Sequence, residues 1–153
     1  MFRCDLREDK GQAFVELALI LPIFILLLVG VAEVGRLAYA SIEVSNAARA
    51  GVAYAAQSHT DAADGPNITN AAKADAPNIT SLTATPSYSC SCESSTGTIT
   101  ALGSCSLTAC PSPSRIVVDV QVSTTAQVAT IFHFPGIPST VTLNGYATMR
   151  TEQ

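Results

Sequence analysis

An α+β fold is predicted, with a long N-terminal transmembrane helix projecting into a small antiparallel β-sheet head. Three observations carry this expectation. Residues 17–32 read LALILPIFILLLVGVA, an uncharged run bracketed by Glu16 and Glu33. Helical periodicity continues past that run to about residue 57. Beyond Gln57 the composition turns to Ser, Thr, Ala, Pro and Asn, and segments of period-two alternation follow.

The apolar run is sixteen residues between its two glutamates, short of the roughly 20 that span a bilayer squarely. Phe14 and Val15, with Glu16 at the edge, bring it to membrane length. Arg3, Arg7 and Lys10 precede it, which favours a cytoplasmic N-terminus; Asp5, Glu8 and Asp9 weigh little in that rule. A buried core helix is the poorer reading, because too little chain remains to cover it. A cleaved secretory signal would use Ala38-Tyr39-Ala40, but Glu33, Arg36 and a long gap separate that site from the apolar core. A retained anchor with a short leader fits better.

After Ala32, the residues Val34, Leu37, Ser41, Val44, Ala48, Gly51 and Ala55 recur at spacings of three and four, while Glu33, Arg36, Glu43 and Asn46 fall on the other side. No proline interrupts from Ile23 to Gly65, so one helix over 13–57 is expected, roughly 65–70 Å long. Pro22 should bend it near its start. Ala47 and Gly51 form a small-xxx-small pair, readable either as part of an Ala-rich helix or as a seam against other subunits.

The stretch Lys10-Gly11-Gln12-Ala13-Phe14-Val15-Glu16 ahead of an apolar run resembles a prepilin processing site. The wider stretch GQAFVELALILPIFILLLVGVAEVGRLAYASIEVSNAARAGVAYAAQ resembles the TadE-like family of minor pseudopilins. Its features are an acidic residue before the run (Glu16), a proline within it (Pro22), a Glu and an Arg after it (Glu33, Arg36) and the segment Asn-Ala-Ala-Arg-Ala-Gly at 46–51. The resemblance implies cleavage between Gly11 and Gln12 by a prepilin peptidase, with Glu16 in the fifth place of the mature chain. Glycine suits such a cut because it lets the backbone approach closely. A carboxylate at a membrane edge is costly unless paired, and the new α-amino group of Gln12 on a neighbouring subunit is a fitting partner for Glu16. Classical type IV pilins begin with an aromatic residue after cleavage; Gln12 fits a minor, divergent subunit better than a major filament pilin. The resemblance also implies a pilin-like helix stem and small head.

In the head, residues 58–66 read as a break with turn residues, and 68–76 as a short helix with Asn67 as N-cap and Pro77 ending it. Residues 81–87 form a weak strand. Residues 115–124 (RIVVDVQVST) form a strong one, with Ile116, Val118, Val120 and Val122 on one face, and 140–149 form a third. Cys90, Cys92, Cys105 and Cys110 are placed in a loop between the first two strands, while Cys4 precedes the anchor. Beyond a membrane these four face an oxidising compartment, so two disulfides are expected. Direct Cys90–Cys92 closure would be strained, so each is expected to join Cys105 or Cys110. Zinc is the weaker reading, because Cys-x-Cys followed by Cys-x4-Cys is not a common structural spacing.

The organisation expected is therefore a leader at 1–11, a transmembrane and stem helix at 12–57, and an extracytoplasmic α+β head at 58–153. Net charge is −4, with no Lys/Arg cluster after the first ten residues, which excludes nucleic acid as a partner class. His133, between Phe132 and Phe134, has no nearby acidic or thiol partner in sequence and is read as structural or simply exposed. No cofactor motif, metal motif or catalytic constellation stands out. The function expected is that of a minor pseudopilin in a Tad/Flp-type pilus or secretion apparatus, acting in assembly or adhesion. Its partners would be the prepilin peptidase, other Tad pilins and pseudopilins, the inner-membrane assembly platform and the lipid bilayer. It would be a single-pass protein of the bacterial inner membrane, with entry into the filament left open. The alternative is a membrane-anchored binding module with a disulfide-stabilised head.

Overall fold

The computed structural model describes residues 11–106, 110–132, 136 and 138–152. The basic residues Arg3, Arg7 and Lys10, together with Cys4 and His133, lie outside the described residues. The chain divides into two compact units, the first ending at Leu37 and the second beginning at Ala38. The division falls inside a single helix, α1 (Gln12–Ala55), which continues through Pro22.

Within the first unit, α1 presents large apolar side chains to its surroundings throughout. Phe14, Leu19, Leu27 and Val31 are each more than half exposed. Among the described residues, α1 is the one helix long and apolar enough to cross a membrane.

The second unit is the remainder of α1 together with α2 (His59–Ala62), α3 (Gly65–Asp75) and a four-stranded antiparallel sheet. The strands are β1 (Thr83–Glu93), β2 (Ile99–Ala101), β3 (Arg115–Ala129) and β4 (Thr140–Glu152), in the order β2-β1-β3-β4. The α+β class expected from the sequence is observed. The details differ in instructive ways. The break at 58–66 contains a helical turn, capped by Ser58, whose hydroxyl accepts from the Asp61 amide at 3.1 Å. The next helix begins earlier than expected, and Asp64 caps it instead of Asn67. Asp64 accepts the Asn67 amide at 3.2 Å, and Pro66 sits in the first turn, where its missing N–H costs nothing. The first strand runs on through Cys90 and Cys92, which are therefore strand residues and not loop residues.

Register explains the core. Cys90 pairs with Val118, which pairs with Thr151; Ala84 pairs with Thr124, which pairs with Gly145. Alternate positions consequently share one face, and Ile116, Val118, Val120, Val122, Thr124 and Ala126 of β3 are all buried there. The other face is mostly hydroxyl-bearing, with Thr85, Ser87, Ser89, Thr125 and Thr148 exposed. On α1 the residues that meet the sheet are small: Ala40, Val44, Ala47, Ala48, Gly51, Val52 and Ala55. Val44, Ala48, Gly51 and Ala55 of the expected stripe are thus buried within the head. The Ala47–Gly51 pair packs inside this chain and is not a seam for other subunits.

The closest approach is at Val44. The Thr124 hydroxyl donates to the Val44 carbonyl at 2.7 Å in a buried site. Gly145 lies beside it, and a Cβ there would stand 2.6 Å from the Val44 oxygen and 2.9 Å from its carbonyl carbon. Those obstructing atoms are backbone and cannot swing aside. Gly145→Ala is expected to lower the stability of the head by about 1–3 kcal/mol, as overpacking does. Thr124→Val should cost about 1 kcal/mol, and Thr124→Ser less. Denaturant unfolding of the full chain in detergent checks this, with Gly103→Ala, which meets nothing within 4 Å, as the neutral control.

Candidate assembly segment and the disulfide-bonded head

Gly11 stands immediately before α1, and its carbonyl accepts the Val15 amide at 3.3 Å, closing the first helical turn. It is exposed, and nothing lies within 4 Å of where a Cβ would be. Gln12 is the first helical residue. Its side-chain amide donates to Glu16 Oε1 at 3.5 Å, the outer limit of such a bond. The helix therefore brings Gly11, Gln12 and Glu16 to one end. Pro22 stands apart, between the two polar groups of the unit.

Glu33 and Arg36 form the second group. They are one turn apart, and the guanidinium donates to Glu33 Oε1 at 2.9 Å. Both are partly buried, at 15% and 35% side-chain exposure, so this pair is worth more than a fully solvated one. It gives α1 a neutralised polar collar directly after the apolar run.

In the head, Cys90 is joined to Cys105 and Cys92 to Cys110, with Cα separations of 5.3 and 5.5 Å. All four cysteines are used in these pairs, and no metal-binding cluster of His, Cys, Asp or Glu occurs among the described residues. Cys90 and Cys92 are two apart on β1 and point to the same face, so both bridges hold Cys105 and Cys110 against one end of the apolar core. Leu102, Cys105 and Cys110 pack on the cluster formed by Val52, Ile68, Ile116 and Val118. Partial burial and the carboxylates of Asp61 and Asp64 raise the Tyr54 phenol above its ordinary value.

Sequence reasoning singled out the residues of the helix start and the Glu33/Arg36 pair. It missed the Val44–Thr124–Gly145 crossing, for which no local signal exists: a Thr on a valine face and a Gly in a strand acquire meaning only once the strands are in register.

Residues 11–53 match the model of a family described as TadE-like protein, so the resemblance read in the sequence holds over that segment. The match opens at the glycine before α1, closes within that helix and includes none of the strands. Comparison with curated proteins and with solved structures gave no match.

The bridges close loops of 15 and 18 residues, each worth about 3 kcal/mol in the chain-entropy account. Non-reducing peptide mapping is expected to recover Cys90–Cys105 and Cys92–Cys110, with no free thiol among the four. Cys92→Ser with Cys110→Ser should lower head stability by roughly that amount.

Proposed function

We propose that this chain is a minor pseudopilin of a Tad/Flp-type pilus or secretion apparatus, cut by a prepilin peptidase and working by assembly, not catalysis. One observation carries the reading. The TadE-like match begins at Gly11, immediately before α1, and Glu16 follows one turn inside. A leader at 1–11, an anchor and stem at 12–57 and a head at 58–153 follow from it.

On this reading, cleavage after Gly11 frees the α-amino group of Gln12. The Gln12 amide is a long and weak partner for Glu16. A charged carboxylate at the bilayer edge needs a stronger one, and the ammonium of a neighbouring subunit supplies it. The partners are the peptidase, other Tad pilins and pseudopilins, and the inner-membrane assembly platform. The basic residues ahead of α1 and the two disulfides of the head support a cytoplasmic N-terminus and a head on the oxidising side of a bacterial inner membrane. A helix that only displayed a binding domain would have no use for Gly11 and Glu16.

Intact mass of the mature protein is expected to show a start at Gln12, and Gly11→Leu to leave the leader attached. Retention of Met1 in the wild type contradicts the reading. Glu16→Val should still be cut and inserted, since the glycine and the apolar run are intact. Its co-purification with other pilins should fall by roughly tenfold or more, the effect of losing about 1.4 kcal/mol. Normal assembly of that variant removes the ion-pair role, and loss of cleavage reassigns Glu16 to peptidase recognition.

A further inference from the structure

The two edges of the sheet are finished differently. The Thr130 amide donates to the Ser139 carbonyl at 2.9 Å, one step beyond the Ala129–Thr140 pair and in the same register. Hydrogen-bonded pairs alternate along an antiparallel ladder, so the next are Val128–Val141, Ala126–Leu143 and Thr124–Gly145. Gln127, out of phase with them, gives its amide to the Ser81 hydroxyl on the side of β1, at 3.1 Å. On β4 the residues between, Thr142, Asn144, Tyr146 and Thr148, turn their N–H and C=O groups away from β3. Among the described residues no strand lies on that side, because β4 is the last of the sheet.

The opposite edge is closed. The same alternation turns Pro86, Cys90 and Cys92 of β1 outward. The Cys90 carbonyl accepts the Leu102 amide at 2.9 Å, and Cys92 pairs with Thr100 of β2. Pro86 has no N–H to offer, and α3 stands beside it: a Cβ on Gly65 would lie 3.7 Å from Pro86 Cγ. The β4 edge has none of these features. It runs through 13 residues in unbroken register, without a bulge or a proline. No Asp, Glu, Lys or Arg occurs between Asp119 and Arg150. Edges that face water alone are ordinarily blunted by such devices.

From Thr142 to Thr148 the outward donors and acceptors form a row about 20 Å long, and the ligand that matches such a row is an extended polypeptide. We propose that β4 receives an extended segment of another pilin subunit, which adds to the four-stranded sheet as a further strand. The proposal rests on the pseudopilin reading, in which the chain works among other subunits. What stands beside the edge sets the segment's chemistry. Met149, 46% exposed, and Leu143, half-buried, flank it on the α1 side, with Thr142, Tyr146 and Thr148 on the other. The entering strand is therefore apolar at alternate positions, and it is uncharged, because β4 offers no counter-charge over that length. A second copy of this chain does not fit. A symmetric pair of β4 strands is antiparallel and related by a half-turn about the sheet normal, so the Ala38 ends of the two α1 helices face opposite ways. Two chains anchored in one bilayer by that helix do not meet in this sense.

Amide hydrogen exchange reads strand addition directly, because only alternate amides respond. Exchange is followed in the isotope-labelled full chain, alone in detergent and within the assembly isolated from the producing cells, and is read amide by amide after quenching. The Thr142, Asn144, Tyr146 and Thr148 amides are expected to exchange at least about tenfold more slowly in the assembly, while those of Leu143, Gly145 and Ala147 are protected in both. Thr148→Pro removes one outward N–H and no bond to β3. It should lower co-purification with other pilins roughly fivefold or more, and Thr148→Val, which keeps the N–H, should not. An assembly in which the outward amides exchange as they do in the chain alone overturns the inference and leaves the pseudopilin reading intact. A wild-type chain that joins no pilin removes both. Protection that grows with concentration in the pure chain assigns the edge to a second copy and overturns the inference as well.

Discussion

The close crossing of α1 over the sheet is the constraint on which the head depends. Backbone meets backbone at Val44 and Gly145, and the Thr124 hydroxyl satisfies itself on the Val44 carbonyl in the same place. A helix held that close cannot carry large side chains on its inner face, and it does not: Ala40, Ala47, Ala48, Gly51 and Ala55 make the contact. The complementary bulk comes from the sheet, where β-branched residues of β3 stand buried opposite them. The remainder of the head is rich in short polar residues and would bury little without this helical half. The two disulfides pack on the same core cluster as Val52 and Ala55 of α1.

One helix is thereby given two environments. From Ala38 onward its inner stripe is consumed by its own sheet, which leaves no small-residue seam there for other subunits. Before Leu37 its apolar side chains have no partner within the described part of their own unit, and a bilayer and neighbouring helices can use them. The polar residues in that half are few: Gln12 and Glu16 at the start, Glu33 and Arg36 at the end. The second pair neutralises itself inside the chain. Among the described residues the first makes a long bond, and it is where an outside partner has most to gain.

Much of this was legible in the sequence, for identifiable reasons. Sixteen uncharged apolar residues and an unbroken three-four pattern of small or apolar groups define α1, and the alternation from Val118 to Val122, with Ile116 on the same face, defines β3. The helix start was legible because glycine, glutamate and an apolar run form a motif of fixed spacing. What was not legible depends on pairing. β2 is three exposed residues held by β1 alone, and Ser and Cys give no strand signal through Cys92. Asp64 outcompetes Asn67 as a cap because Pro66 pre-sets the first turn, a preference that acts two residues away from the expected start. The Ala47–Gly51 pair reads the same whether its partner is another helix or its own sheet, and only the packing decides between them.

The central claim is that the exposed half of α1 is kept for other subunits of an assembly apparatus. Photo-crosslinking in cells from a benzophenone amino acid replacing Leu19, which is 71% exposed, tests it most directly. The account predicts adducts to other pilin subunits that vanish when Glu16 is replaced by Val. Adducts to lipid alone, unchanged by that replacement, would contradict it and leave α1 as an anchor and nothing more.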